Sequence, residues 1–145
     1  MRRIILLGVA ALLVLPATAL ALTRTLHGPA GPVKDSSVDI TFKYRGHHAK
    51  VITRFELNNI PIACQGGISS AVYYKFAHRI HVSSTGKFHA TESPTPGLAT
   101  YTVKGRFKGV HKATGTLRVT GNVPACSSGN TGAVHWSATP AAPGT

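Results

Sequence analysis

Val38, Ile40, Phe42 and Tyr44 alternate with Asp39, Thr41, Lys43 and Arg45, the period-two pattern of a strand with one wet face. Gly46-His47-His48 turns the chain. Val51, Thr53, Phe55 and Leu57 then alternate with Ile52, Arg54 and Glu56, which predicts the returning strand of an opening hairpin. Asn58 to Gly67, with Cys64 inside it, reads as a connection. From Ile68 to Ser83 the β-favouring residues run on, with Val72, Tyr74 and Phe76 on one parity and then Ile80 and Val82. That run is too long for one strand, so a bulge or break is expected near Ala77-His78. Ser84-Thr85-Gly86 turns, Phe88 and Ala90 continue to Thr91, and Glu92 to Gly97 forms an exposed loop whose two prolines cannot donate to a ladder. Leu98 to Phe107 places Tyr101, Val103 and Phe107 on one face and Lys104, Arg106 and Lys108 on the other. After a turn over Gly109 to Lys112, Ala113 to Thr120 returns with Leu117 and Val119 inward. Gly121 to Gly132 reads as a loop holding Cys126. Val134, Trp136 and Ala138 close the sheet, with Trp136 in the core near the disulfide end.

Seven or eight short strands with turns between them predict an all-β, antiparallel β-sandwich or jelly-roll-like domain over residues 38–139, with an open β-barrel as the alternative. Residues 22–37 hold Gly28, Pro29, Gly31 and Pro32 without a sustained pattern and read as a leader or linker. Residues 140–145 read as a short flexible tail with no membrane or wall-sorting anchor.

The first 21 residues change the picture. Arg2 and Arg3 precede an apolar run from Ile4 to Leu15, then Pro16 and small residues ending in Ala19-Leu20-Ala21. This is the layout of a secretory signal peptide, and the run is shorter than the ~20 residues needed to span a bilayer. Ala17-Thr18-Ala19 is a second possible cleavage site. Cleavage after Ala21 would leave 124 of the 145 residues, enough for one core and too few for two domains. The remainder is rich in Thr, Val, Gly and Ser and poor in helix formers, which supports strands.

Cys64 and Cys126 are the two cysteines. In an oxidising compartment they are expected to bridge, and neither stands in a C-x-x-C redox motif. The chain carries 16 Lys and Arg against four acids, Asp35, Asp39, Glu56 and Glu92. Loss of Arg2 and Arg3 would leave 14 basic side chains against 4 acidic ones, an excess of 10. Eight histidines would add charge in mildly acidic surroundings. An exported protein of this balance should adhere to anionic polymers.

The run Gly105-x-Phe107-x-Gly109, Ala113-Thr114-Gly115-Thr116-Leu117-Arg118, Cys126-x-Ser128-Gly129 and Trp136-x-Ala138 resembles the C-terminal half of small secreted β domains from actinobacteria. The likeness covers Gly86 to Ala138. Such domains are generally of unknown function, so the resemblance implies a fold and no catalytic residues. Gly115 would lie in a strand where a side chain crowds a facing residue or a bulge requires positive φ.

Little in the chain points to chemistry. A hairpin around Ser83 to Lys87 would make His81 and His89 cross-strand neighbours, weak candidates for an exposed metal site that lacks a third ligand. His47-His48 is a turn pair. Asp39 and Glu56 could approach across the first hairpin as two glycosidase carboxylates, yet Lys43, Arg45 and Arg54 beside them favour surface ion pairing. No G-x-S-x-G elbow occurs. Tyr73, Tyr74 and Phe76 with Lys75 and Arg79 loosely suggest a stacking platform for nucleic acid, but the parity of Tyr74 and Phe76 assigns them to the core.

The expectation is therefore a secreted or envelope-associated, non-catalytic domain without cofactor. It would bind anionic envelope or extracellular polymers through Lys43, Arg45, Arg54, Lys75, Arg79, Lys104, Arg106 and Lys108, with no specific nucleic acid and no membrane span after cleavage. A carbohydrate site built on exposed Tyr73 or Tyr101 stands second, and a small hydrolase third.

Overall fold

The computed structural model describes residues 20–67, 69–124 and 126–141; the expected signal run up to residue 19 and most of the tail lie outside them. Among the described residues there are ten strands: β1 (Leu22–Pro29), β2 (Ser37–Arg45), β3 (His48–Ala63), β4 (Ser69–Lys75), β5 (Ile80–His81), β6 (Lys87–Glu92), β7 (Thr100–Lys108), β8 (Lys112–Val123), β9 (Cys126–Asn130) and β10 (Val134–Ala138). All pair antiparallel.

One layer is β1-β2-β3, with β4 and β5 on the far side of β3. The other is β6-β7-β8, with β9 and β10 on the far side of β8. The layers join through Ala63 opposite Asn130 and through bridges from β1 to β10, His27 to Thr139 and Ala30 to Trp136. These joins are isolated bridges and the β4 and β6 edges do not pair, so the fold is sandwich-like and not a true barrel.

The core is built where the inward parities meet. Phe42 of β2 and Phe55 of β3 face Phe88, Phe107 and Trp136 of the opposite layer, with ring centroids 4.6 Å apart for Phe42–Phe107 and 5.6 Å for Phe55–Trp136. All five rings are buried, and tilted pairs at such separations add to the burial energy. Trp136 lies opposite Gly115, near the start of β8, and Gly115 lies opposite Gly105 of β7. A Cβ on Gly105 would meet Phe88 Cζ at 2.5 Å and Trp136 Cζ2 at 2.8 Å, and one on Gly115 would meet Trp136 Cζ2 at 2.6 Å and the Lys104 carbonyl closer still. The facing glycines thus open the slot that holds the indole, so Gly115 is required by crowding and not by positive φ. Among the described residues, the Trp136 Nε1–H is the one buried side-chain polar atom without a partner.

β3 is the spine of its layer. Its ladder with β2 shifts register at Thr41/Phe42 and at Lys43/Tyr44, and its ladder with β4 shifts between Leu57 and Ile60, where Asn59 has φ 53°. Each extra residue bends the strand. The inward positions become Ala49, Ile52, Phe55, Leu57, Ile60 and Ile62, so Ile52 points inward where simple alternation turned it out.

The Cys64–Cys126 bridge forms, with Cα atoms 5.3 Å apart, tying the end of β3 to the start of β9. Cys126 begins a strand that pairs back on β8, so the expected loop over 121–132 is a hairpin. Trp136 is consequently not at the disulfide end, because Cys126 lies opposite Val123, at the far end of β8 from Gly115. The segment read as a leader, 22–37, is corrected in the same way. β1 pairs with β2 along its length and buries Leu26 and Ala30. Its inward positions include Gly28 because β10 passes so close that a Cβ there would strike the Ser137 carbonyl. The predicted break near Ala77-His78 is present between β4 and β5.

Candidate functional site

The outward parities of β6, β7, β8 and β10 form one face whose rungs follow from the register. Lys108 lies opposite Lys112. Lys87, Arg106, Thr114 and Ser137 make the next rung, and His89, Lys104, Thr116 and His135 the one after. Thr91, Thr102 and Arg118 make the fourth. Lys87, Lys104, Arg106, Lys108, Lys112 and Arg118 are all exposed. Among the described residues none of the six takes part in an ion pair.

No acid stands on this face. Asp39 and Glu56 lie on the outer face of the other layer, Asp35 lies in the β1–β2 turn, and Glu92 has the inward parity of Phe88. Like charges stand directly opposite at Lys87–Arg106 and Lys108–Lys112, an arrangement that costs stability in a sheet. Two open concavities flank Lys104. One, of about 550 Å³, is lined by His81, Ser83, Lys87, Phe88, His89 and Arg106 among others. The second, of about 410 Å³, is lined by Thr102, Thr116, Leu117, Arg118 and Ala133.

The basic residues singled out from the sequence divide between two faces. Lys104, Arg106 and Lys108 belong to the face just described. Lys43, Arg45, Arg54 and Lys75 lie on β2, β3 and β4 of the opposite layer, and Arg79 in the β4–β5 connection. There two of the five cations meet an acid. Glu56 accepts from Arg54 at 2.6 Å, which raises the guanidinium pKa through that hydrogen bond, and it lies 3.9 Å from Lys75. Lys87, Lys112 and Arg118 were missed, although outward parity on strands next to β7 was their available signal.

Asp39 and Glu56 do come opposite one another. Each is engaged separately, Asp39 by His27 at 2.8 Å and Asn58 at 2.7 Å, and Glu56 as above. His81 pairs with Val51 of β3 and His89 with Lys104 of β7, so they are not neighbours on a shared hairpin ladder, though both line the larger concavity. That concavity also holds Lys87, Lys104 and Arg106, whose charge opposes a cation. No group of three or more His, Cys, Asp or Glu among the described residues is placed to hold a metal ion. Tyr101 is buried and stacks on Tyr74 with centroids 3.6 Å apart, so it cannot serve as an exposed sugar platform. Tyr73 is exposed and its hydroxyl donates to Asn59. Tyr74 and Phe76 turn inward, leaving no run of stacking aromatics on β4.

Glu92, expected in a loop, ends β6 and bridges the two layers. Its carboxylate accepts from the Tyr74 hydroxyl at 2.6 Å, from the Ala77 and His78 amides at 2.9 Å each, and from the His78 ring at 3.0 Å. Burial pushes the carboxyl pKa up, but these hydrogen bonds outweigh it and hold the group below its ordinary value of 4.5. Burial, then the same carboxylate, raises the Tyr74 hydroxyl. A carboxyl with a depressed folded pKa stabilises fully above its ordinary value, and the contribution fades as pH falls through the folded one. Glu92→Gln also turns an NH₂ toward amide donors. It should lower stability by about 1–3 kcal/mol at pH 7, with the gap to the unaltered protein narrowing below pH 4.5. Denaturant titrations at neutral and acid pH measure this, and a gap that widens in acid would refute the assignment.

The chain matches no family model, no curated protein and no solved structure. Among the described residues no helix is long and apolar enough to cross a membrane. What stands among the described residues is a small, disulfide-stabilised β domain with a sheet face that carries six Lys and Arg side chains and no acid.

Proposed function

We propose that this is an exported domain that works by binding, and that the outer face of β6, β7 and β8 attaches it to anionic polymers of the envelope or extracellular space. The observation that carries the reading is the asymmetry of charge. Among the described residues, six cations share a face that holds no acid and none of them is ion-paired, whereas the outer face of the opposite layer carries Asp39 and Glu56, and Glu56 engages Arg54 and Lys75. Opposed like charges are a cost in the free protein that an anionic partner relieves. The export reading adds that cleavage after Ala21 would make Leu22, the first residue of β1, the new N-terminus with no strand lost.

Two variants of equal charge separate this from bulk stickiness. Changing Lys104, Arg106 and Arg118 to Gln should weaken binding to a heparin matrix by tenfold or more at about 0.1 M salt. Changing Lys43, Arg45 and Lys50 to Gln removes the same charge from the opposite layer and should cost less than threefold. Co-sedimentation with purified envelope should follow the same order. Equal losses from the two faces would reduce the charge to a solubility role.

A further inference from the structure

The rungs of the basic face lie on one line. Along β7 the outward positions Thr102, Lys104, Arg106 and Lys108 recur every second residue, and each rung carries at least one cation. Arg118 stands opposite Thr102, Lys104 fills the next rung, Arg106 and Lys87 share the third, and Lys108 and Lys112 the fourth. An antiparallel strand rises about 3.4 Å per residue, so successive rungs are about 6.8 Å apart. The stripe therefore offers a positive charge at regular intervals over about 20 Å. Its shoulders differ from its crest. Ser83, Thr102 and Thr116 bring hydroxyls into the two concavities flanking Lys104, and Phe88 contributes apolar surface to the larger one.

We infer that the ligand of this face is a flexible, phosphodiester-linked polyol chain laid along β7, one phosphate to each rung. This rests on the reading of that face as the polyanion site and adds a spacing to it. Three extended backbone bonds of a polypeptide span 3.3–3.6 Å, so the roughly six bonds from one phosphorus to the next in a glycerol phosphate chain span about 7 Å by the same geometry. The repeat of the charges and the repeat of the rungs coincide. The polyol hydroxyls meet the threonine and serine hydroxyls between the cations. An extended polyglutamate sends successive carboxylates to opposite sides, so only every second one meets a rung and a tetramer engages about two rungs where four phosphates engage four.

The test compares glycerol phosphate oligomers of two to eight repeats with glutamate oligomers of matched charge number, bound to the purified oxidised protein at about 0.15 M salt. Inorganic phosphate serves as the single-charge probe. Affinity for the glycerol phosphate series should rise steeply up to about four phosphates and then only in proportion to the number of registers. The four-phosphate oligomer should bind at least tenfold more tightly than the glutamate tetramer. Its affinity should fall with salt at a logarithmic slope near −3, and Lys104→Gln, which removes the one Lys or Arg of its rung, should reduce that slope by about 0.7. Equal affinity for the two polymers at matched charge would overturn the spacing while leaving the face a general polyanion site. Failure of every polyanion to bind would overturn both.

Discussion

Gly115→Ala lowers the stability of this domain by about 3 kcal/mol, the upper part of the range for forcing atoms into a packed interior. That is a large share of the 5–15 kcal/mol that holds a domain of this size. The new methyl would press on the Lys104 carbonyl of the neighbouring strand as well as on Trp136 Cζ2 at 2.6 Å. A carbonyl fixed in a ladder cannot retreat. Gly105→Ala differs in kind, because its nearest neighbours are the ends of two rings, Phe88 Cζ at 2.5 Å and Trp136 Cζ2 at 2.8 Å. Shortening Phe88 to Leu should therefore recover part of the Gly105→Ala loss, whereas Trp136→Phe should recover almost none of the Gly115→Ala loss. Denaturant midpoints at constant m report both. A Gly115→Ala protein with an unchanged midpoint would show that the ladder between β7 and β8 yields, and the packing account of the slot would fall.

Replacing Cys64 and Cys126 together by Ala should cost about 4 kcal/mol, the loop-closure term for a bridge across 62 positions. The cost should register at equilibrium unfolding of the oxidised protein against the double variant. The bridge joins two elements that otherwise share little, since among the described residues β3 and β9 have a single ladder pair, Ala63 opposite Asn130. Its loss should thus raise amide exchange first at Cys126–Asn130 and at the end of β3. An unaltered midpoint would mean that the unfolded chain gains no freedom from the cut. Uptake of two alkylating groups by the unreduced protein would mean that the bridge is not formed.

The parts of the fold legible in the sequence were those where one residue forward means one change of face. β2, β6, β7 and β10 keep strict alternation, and their inward residues are the ones that the pattern predicts. β3 breaks the rule because its three register shifts each move the inward set by a residue, so plain alternation turns Ile52 to the wrong face and reads Asn58 to Ala63 as a connection. β1 escaped notice for a different reason. Its inward positions Leu26 and Gly28, with Ala30 just beyond its end, fit under β10 and read locally as a linker. Gly105, Gly115 and Trp136, which stand out in the sequence, form the indole slot and so speak of architecture.

The basic face was half visible. Lys104, Arg106 and Lys108 were found because β7 alternates cleanly. Lys87, Lys112 and Arg118 join them only through pairing, which a one-dimensional pattern does not contain. The same pairing puts Lys43, Arg45, Arg54 and Lys75 on the other layer, since parity gives a side without saying which layer owns it. Tyr101 was wrong as an exposed platform although its inward parity was plain in the sequence, and its stacking on Tyr74 follows from that parity.

The bridges from His27 to Thr139 and from Ala30 to Trp136 also set an order of events. The first strand of the domain finds one of its neighbours in the last. A chain that emerges N-terminus first, from a ribosome or a secretion channel, has β1 exposed on that side until residue 139 is free. Pairing of β1 with β2 can come early, because their contacts are local, but the seam cannot shut before the whole chain has cleared. Such long-range closure is slow compared with hairpin formation, so the nascent chain has a built-in interval in which it remains open enough to thread.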